Sequence, residues 1–311
     1  MRLLLIDGPY YVYRSFFAIR NLSNSRGEPT NAIYGFVKTV RKMVKDLKPD
    51  LGAVLWDEGL PLRRTALQPA YKATRAEMPE GMRPQLDFIR NIVPLLGFAS
   101  LGAENTEADD LMATYTCCAR RAGHEVILAT NDKDLFQLVD ESCRIYSTNK
   151  TDLASPSDPH ALLGPDKVRE KWGVPAEQIG DVLALIGDTV DNIPGIEGMG
   201  PKTAVALIKE HGSVEVLLKN LDAVKSERTR EKLRAGADRI RQNQEMVRLD
   251  LDLPLPVPLE SLAIAPRPAE LVPLLESCEF KSLTEEVRAE AGESAPPPPP
   301  APAKLGQGEL F

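Results

Sequence analysis

The chain has 311 residues, 43% apolar, 27% charged and 5% aromatic, an ordinary globular composition with room for one large or two smaller domains. Its 38 basic and 45 acidic residues leave a net charge of −7, which taken alone argues against a nucleic-acid partner. No apolar run approaches the about 18 residues of a membrane span or forms a secretory core, and four cysteines without C-x-x-C spacing exclude a disulfide framework or zinc site, so a reduced cytoplasmic protein is expected.

In chain order, the first half alternates short apolar runs with helical stretches. Arg2–Ile6, Ala53–Trp56 and Val126–Thr130 are brief, apolar and bounded by polar residues, which predicts buried strands of a parallel sheet. Helical patterning covers about 32–47, 84–96 and 107–122, so the alternation implies an α/β layered domain. Residues 60–83 carry Arg63, Arg64, Lys72, Arg75 and Arg83 against Glu77 and Glu80, a local net of +3, and are broken by proline. This predicts an exposed loop or short helices. From 176 to 240 the pattern becomes all-helical, with segments 177–187, 201–211, 213–219 and 226–237 separated by turns. Residues 253–273 interleave proline with apolar residues, a short helix is expected after them to about 290, and Pro296–Pro300 with Pro302 read as a stiff, disordered spacer. The expected organisation is an α/β unit at 1–175, a helical unit at 176–288 and a tail at 289–311.

Ligands of such folds bind at the carboxyl ends of the strands. Each predicted strand meets acid there: Asp7, Asp57, and Asp132 with Asp134. Glu107, Asp109 and Asp110 open a helix, and Asp188 and Asp191 lie in GDTVDN (187–192). Any one of them alone is most simply a helix cap or a turn former. The acids at the ends of three strands and those opening the helix would converge on one sheet edge, and so many like charges would repel one another unless cations neutralise them. Oxygen ligands without His or Cys suit Mg²⁺ or Mn²⁺, and two such ions roughly 3.5–4 Å apart hold both the attacking and the leaving oxygen of a phosphoryl displacement. A divalent ion also acidifies water, so a chain with only three histidines fits a two-metal phosphodiesterase.

The motifs also carry a family resemblance. LLLIDG (3–8) followed by Tyr13-Arg14, SRGEPTNAIYGF (25–36), PAYKATR (69–75), TEADDLMA (106–113), TNDKDLFQL (130–138) and GDTVDNIPGIEGMGPKTA (187–204) stand in this order. Over about residues 1–287 the chain resembles the 5′-nuclease domains of bacterial DNA polymerase I and the related flap endonucleases. The resemblance implies an α/β, parallel-sheet nuclease core (PIN-like, resolvase-like) with a helical arch near 60–83 and a helix-hairpin-helix (H3TH) helical domain. It implies a first metal ion on Asp7, Asp57, Glu107 and Asp109, with Asp110 close by, and a second on Asp132, Asp134, Asp188 and Asp191. Lys72, Arg64 and Arg75 are the implied catalytic cations. There are departures: Pro9 and Tyr10 stand where the family often has histidine or asparagine, and in Arg63-Arg64-Thr65-Ala66 only Arg64 matches the family's block.

The same resemblance assigns DNA contacts to Arg14, Tyr34 and the hairpin residues Gly195, Gly198, Gly200, Lys202 and Thr203, with K⁺ as a further cation of the hairpin. The physics is legible there: glycines admit a phosphate to backbone N–H groups, and the following helix offers its positive N-terminus. Such contacts ignore base identity. Tyr10 and Tyr34 are equally candidates for base stacking and for the core. Gln307, Leu310 and Phe311 in the terminal QGELF resemble the peptide by which bacterial replication proteins bind the sliding clamp. The expected function is a Mg²⁺-dependent 5′-3′ exonuclease and flap endonuclease acting at 5′ flaps, nicks, gaps and RNA–DNA primer junctions in replication and repair. It would be free-standing, work with a separate DNA polymerase and ligase, and reside in the bacterial cytoplasm at the nucleoid. The alternative is a non-catalytic DNA-binding protein of the same fold. An aspartyl-phosphate phosphatase is disfavoured because Pro9 stands where that chemistry wants a second Asp. With the nine acids set aside, the net charge of −7 becomes +2, so the acidic balance does not exclude DNA.

Overall fold

A computed structural model describes residues 1–292 apart from Pro156 and Pro159. The clamp-like peptide therefore lies outside the described residues. The first half contains β1 (Arg2–Asp7), α1 (Gly8–Ala18), α2 (Asn31–Leu47), β2 (Leu51–Leu55), α3 (Leu62–Leu67), α4 (Met82–Ile92), β3 (Ala99–Leu101), α5 (Ala108–Arg121), β4 (Glu125–Ala129), β5 (Cys143–Ser147), β6 (Ala161–Leu163) and α6 (Pro165–Trp172). The strands lie in the order β3-β2-β1-β4-β5-β6, all parallel except β6, which runs antiparallel to β5.

The apolar runs form strands because both their faces are covered. Leu3 and Leu5 of β1 point to a layer that includes Leu111 of α5, and Leu4 and Ile6 point to one that includes Phe36 and Val40 of α2. The register sets Ile6 beside Val54 on one side and Ala129 on the other. Asp7, Asp57 and the 130–134 loop therefore leave the sheet along one edge. β1 and β4 are neighbours although β2 and β3 intervene in sequence, so the strand order reverses at this edge and opens a crevice there. The three additional strands, β3, β5 and β6, escape the sequence pattern because two are three residues long and β5 alternates exposed Arg144 with buried neighbours.

The second half adds α7 (Ile179–Ile186), β7 (Gly187–Asp188), β8 (Ile193–Pro194), α8 (Pro201–His211), α9 (Val214–Lys219), α10 (Glu227–Ala235), α11 (Ala237–Val247), α12 (Pro268–Ser277) and α13 (Lys281–Glu290). β7 and β8 pair antiparallel, folding Asp188 and Asp191 back toward the sheet edge. Glycine is required at the crossing: a Cβ on Gly195 would sit 2.1 Å from the Ile186 carbonyl oxygen, and one on Gly187 2.3 Å from the Gly195 nitrogen. The proline-interleaved stretch ends in α12, which starts at Pro268 and accommodates Pro273 inside it. Helix in the arch region is confined to α3 and α4; residues between them make turns and irregular chain, as Pro69, Pro79 and Gly81 dictate. Among the described residues, no helix is long and apolar enough to cross a membrane.

Candidate active site

The carboxylates are placed by main-chain and hydroxyl donors. Asp7 caps α1 by accepting the Tyr10 N–H at 2.9 Å and also accepts the Thr130 hydroxyl at 2.8 Å. Asp57, two residues beyond β2, accepts the Ala108 N–H at 2.9 Å, at the N-terminus of α5 where the helix favours negative charge. Glu107 is the residue that opens α5, with Asp109 and Asp110 in its first turn. After β4, the Asp132 N–H donates to the Thr130 hydroxyl at 3.0 Å and the Asp134 N–H to Asp132 at 2.8 Å, so this loop folds upon its own acids. Asp188 accepts the Val190 N–H at 2.9 Å.

Asp7, Asp57, Asp109 and Asp132 line a cleft of about 610 Å³ together with Tyr10, Lys72, Arg75, Arg90 and Val190. Lys72 joins this group to the rest. Its ammonium contacts Glu107 and lies 3.7 Å from Asp191, while Arg75 pairs with Asp191 at 2.9 Å and Lys133 with Asp188 at 2.9 Å. Asp110 faces elsewhere: it is 1% exposed and accepts Arg64 at 2.6 and 2.9 Å and the Asp250 N–H at 3.0 Å. Arg64 does not line the cleft either. Expected on an exposed basic segment, it is 3% exposed, because Glu107, Asp110 and the carbonyls of Met246 and Arg248 surround its guanidinium.

Burial, with repulsion from Asp57 and Asp132, pushes Asp7 up to about 7, although the Tyr10 and Thr130 hydrogen bonds oppose it. Burial raises Asp109 well above the usual carboxylate range, reinforced by Asp132, Asp7 and Asp57. It does the same to Asp134, with Asp132, Asp188 and Asp191 adding to it, and it raises Asp132. Lys72 is raised: burial works against its charge, but Glu107 and Asp191 outweigh that. Among the described residues, no three His, Cys, Asp or Glu side chains close into a ready-made metal cage; the chain's own cations hold several of the acids. The residues nonetheless fit hard divalent cations. The donors are all carboxylates, added positive charge relieves their mutual penalty, and Asp134 Oδ1 is buried without a hydrogen-bond partner.

Two contributors are uncharged and carry no pattern in the sequence. The buried Tyr71 hydroxyl donates to Glu107 at 3.1 Å and reaches Asp191 at 3.3 Å, and Thr130 links Asp7 to Asp132. The only signal was their place, inside PAYKATR and at the end of an apolar strand. Tyr10 stands in the cleft wall and accepts from Asn131, whereas half-buried Tyr34 packs edge-on against Phe280 at 5.1 Å. Arg14 is exposed one turn beyond Tyr10. In the hairpin, Gly195 serves the chain crossing, Gly198 is left-handed at φ 69°, and Gly200 begins α8 with no side-chain cap and open space around it. Lys202 and Thr203 are exposed in the first turn of that helix.

Residues 2–173 match the family described as 5′-3′ exonuclease, N-terminal resolvase-like domain, and residues 174–270 match 5′-3′ exonuclease, C-terminal SAM fold. The chain belongs to the 5′-3′ exonuclease family. The chain is 36% identical over 286 residues to the 5′-3′ exonuclease of Aquifex aeolicus, covering 92% of the chain and 94% of that protein. It is 42% identical over 248 residues to the thermostable DNA polymerase I of Thermus thermophilus, which covers 80% of the chain but spans only 28% of the polymerase. A bacteriophage T5 flap endonuclease, solved as a pseudo-enzyme–product complex with DNA and metal ions, shares the fold with a TM-score of 0.65 at 20% identity, over 94% of this chain and 100% of that one. The mostly parallel sheet, the resolvase-like first segment and the SAM-fold second segment agree with the expected nuclease architecture.

Proposed function

We propose that this nuclease hydrolyses phosphodiesters from the 5′ side of DNA, cutting 5′ flaps, nicks, gaps and RNA–DNA primer junctions in replication and repair. Two divalent ions, Mg²⁺ or Mn²⁺, would be held by Asp7, Asp57, Glu107 and Asp109 on one side and by Asp132, Asp134, Asp188 and Asp191 on the other. The observation that carries this reading is one cleft whose acids face Lys72 and Arg75. When bound, the ions supply positive charge at the reacting phosphate and ease loss of a proton from water. Lys72 and Arg75 stabilise charge developing on the phosphate oxygens. Asp110 and Arg64 brace Glu107 from behind. The open N-terminus of α8 with Lys202 takes a duplex phosphate, and K⁺ would be a further cation of that hairpin. The terminal Gln307, Leu310 and Phe311 would dock on a sliding clamp, with a polymerase and a ligase acting on either side of the cut. The test is cleavage of an end-labelled 5′-flap duplex with Mg²⁺. Wild type should release a short product and Asp132→Ala none; an active Asp132→Ala protein would refute the assignment.

A further inference from the structure

The turn that carries Lys72 is held from outside the sheet. Lys72 has a left-handed backbone, φ 57°, which a residue with a Cβ adopts only where its surroundings impose it. Here the surroundings are residues 191–192. The Lys72 N–H donates to the Asp191 carbonyl at 3.1 Å, the Asn192 side-chain amide donates to the Ala70 carbonyl at 2.6 Å, and the Gln68 amide donates to the Asn192 carbonyl. Asn192 is itself left-handed, φ 58°, a conformation asparagine tolerates better than most residues. Gln242 of α11 adds a bond to the Leu67 carbonyl at 2.7 Å. Neither Asn192 nor Gln68 lines the cleft.

We propose that Asn192 and Gln68 are positioning residues that strap the 68–72 turn to the β7–β8 hairpin and so hold the Lys72 ammonium between Glu107 and Asp191. The cation that meets the reacting phosphate is then in place before substrate arrives, and its ordering cost is met in folding rather than in catalysis. The inference rests on the role given to Lys72 above.

A double-mutant cycle on a 5′-flap substrate tests it. Asn192→Gly suits the left-handed backbone and removes the side chain that carries the amide. It is expected to lower kcat about tenfold with KM changed less than about twofold, because the lost interaction matters to the transition state and not to binding. In a Lys72→Ala background the same substitution should change kcat by less than about twofold, since residues acting through one another are not additive. Gln68→Ala, which leaves the Asn192 amide in place, repeats the cycle should Asn192→Gly melt early. An equal loss in both backgrounds, or a loss carried by KM, overturns the strap while leaving the role of Lys72 intact. Full activity of Lys72→Ala overturns that role, and the strap with it.

Discussion

Asp134 concentrates the electrostatic problem of the site. One of its oxygens is buried without a partner, and Asp132, Asp188 and Asp191 bear on it with like charge. Removing that charge at constant shape should strengthen the metal-free protein. Asp134→Asn is expected to raise its thermal midpoint in EDTA by about 1–2 °C, equivalent to roughly 1 kcal/mol, and to reduce the further rise caused by Mn²⁺. A lower midpoint in EDTA would contradict a charge-strained site. The sign of the pH dependence follows from Asp7. Its proton is held up to about 7 in the folded protein but released near 3.8 in the unfolded chain, so the folded state binds more protons between those values. The Asp7 contribution to metal-free stability should therefore fall as pH rises through that window. At this scale the acids were legible because they terminate apolar strands or stand in compact motifs. Tyr71 and Thr130 were not, since a neutral hydroxyl leaves no mark on charge or periodicity. Arg64 was misplaced because its basic neighbours suggest a solvated surface, whereas its carboxylate partners lie 43 and 46 residues away in sequence.

The end of α11 shows why Arg64 is buried. Four donors of Arg63 and Arg64 serve its last turn: Arg63 donates to the Glu245 carbonyl and, at 2.8 Å, to that of Arg248, while Arg64 donates to Met246 and Arg248 at 2.9 Å each. These carbonyls have no partner within the helix, and cationic donors suit the negative end of its dipole. Because the side chain of Arg64 is also enclosed with Glu107 and Asp110, Arg64→Ala takes the guanidinium from two buried carboxylates, leaving Asp110 with the Asp250 N–H and no cation, and should cost about 3–5 kcal/mol in urea unfolding. Arg64→Lys should recover little of this, as an ammonium cannot fork between two acids and two carbonyls. A loss below about 1 kcal/mol, the range of an exposed pair, would mean the enclosure is wrong. Among the elements, β1, β2 and β4 were legible as short continuous apolar runs, and the helices α2, α5 and α8 as helical stretches bounded by polar or turn residues. α11 was not: its polar sequence shows the core only Ile240, Asn243, Met246 and Val247.

The whole molecule sorts its charge by place. Acid gathers at the sheet edge, while Lys202 stands exposed at the uncapped start of α8, so duplex affinity should depend on salt despite the net charge of −7. Lys202→Ala should weaken binding alike for unrelated sequences and reduce the slope of log K against log salt by about 1, read by titrating a labelled duplex in EDTA. An unchanged slope would remove Lys202 from the phosphate contacts. The order of elements, strands alternating with helices and then helices, was legible from local patterning, but the packing between distant segments was not, since it has no local signature. One packed cluster contains Leu3 and Leu128 of the sheet together with Leu185, Ile240 and Leu262; on the opposite face Leu4 and Ile6 share a second cluster with Leu271, Leu283 and Val287. β1 and α13 thus belong to one layer, with α2 packed in the same layer. At about 5–20 residues per second, a ribosome spends roughly 15–60 s between them. Throughout that interval α2 already covers the sheet face, while the apolar side chains that α13 will meet stand open.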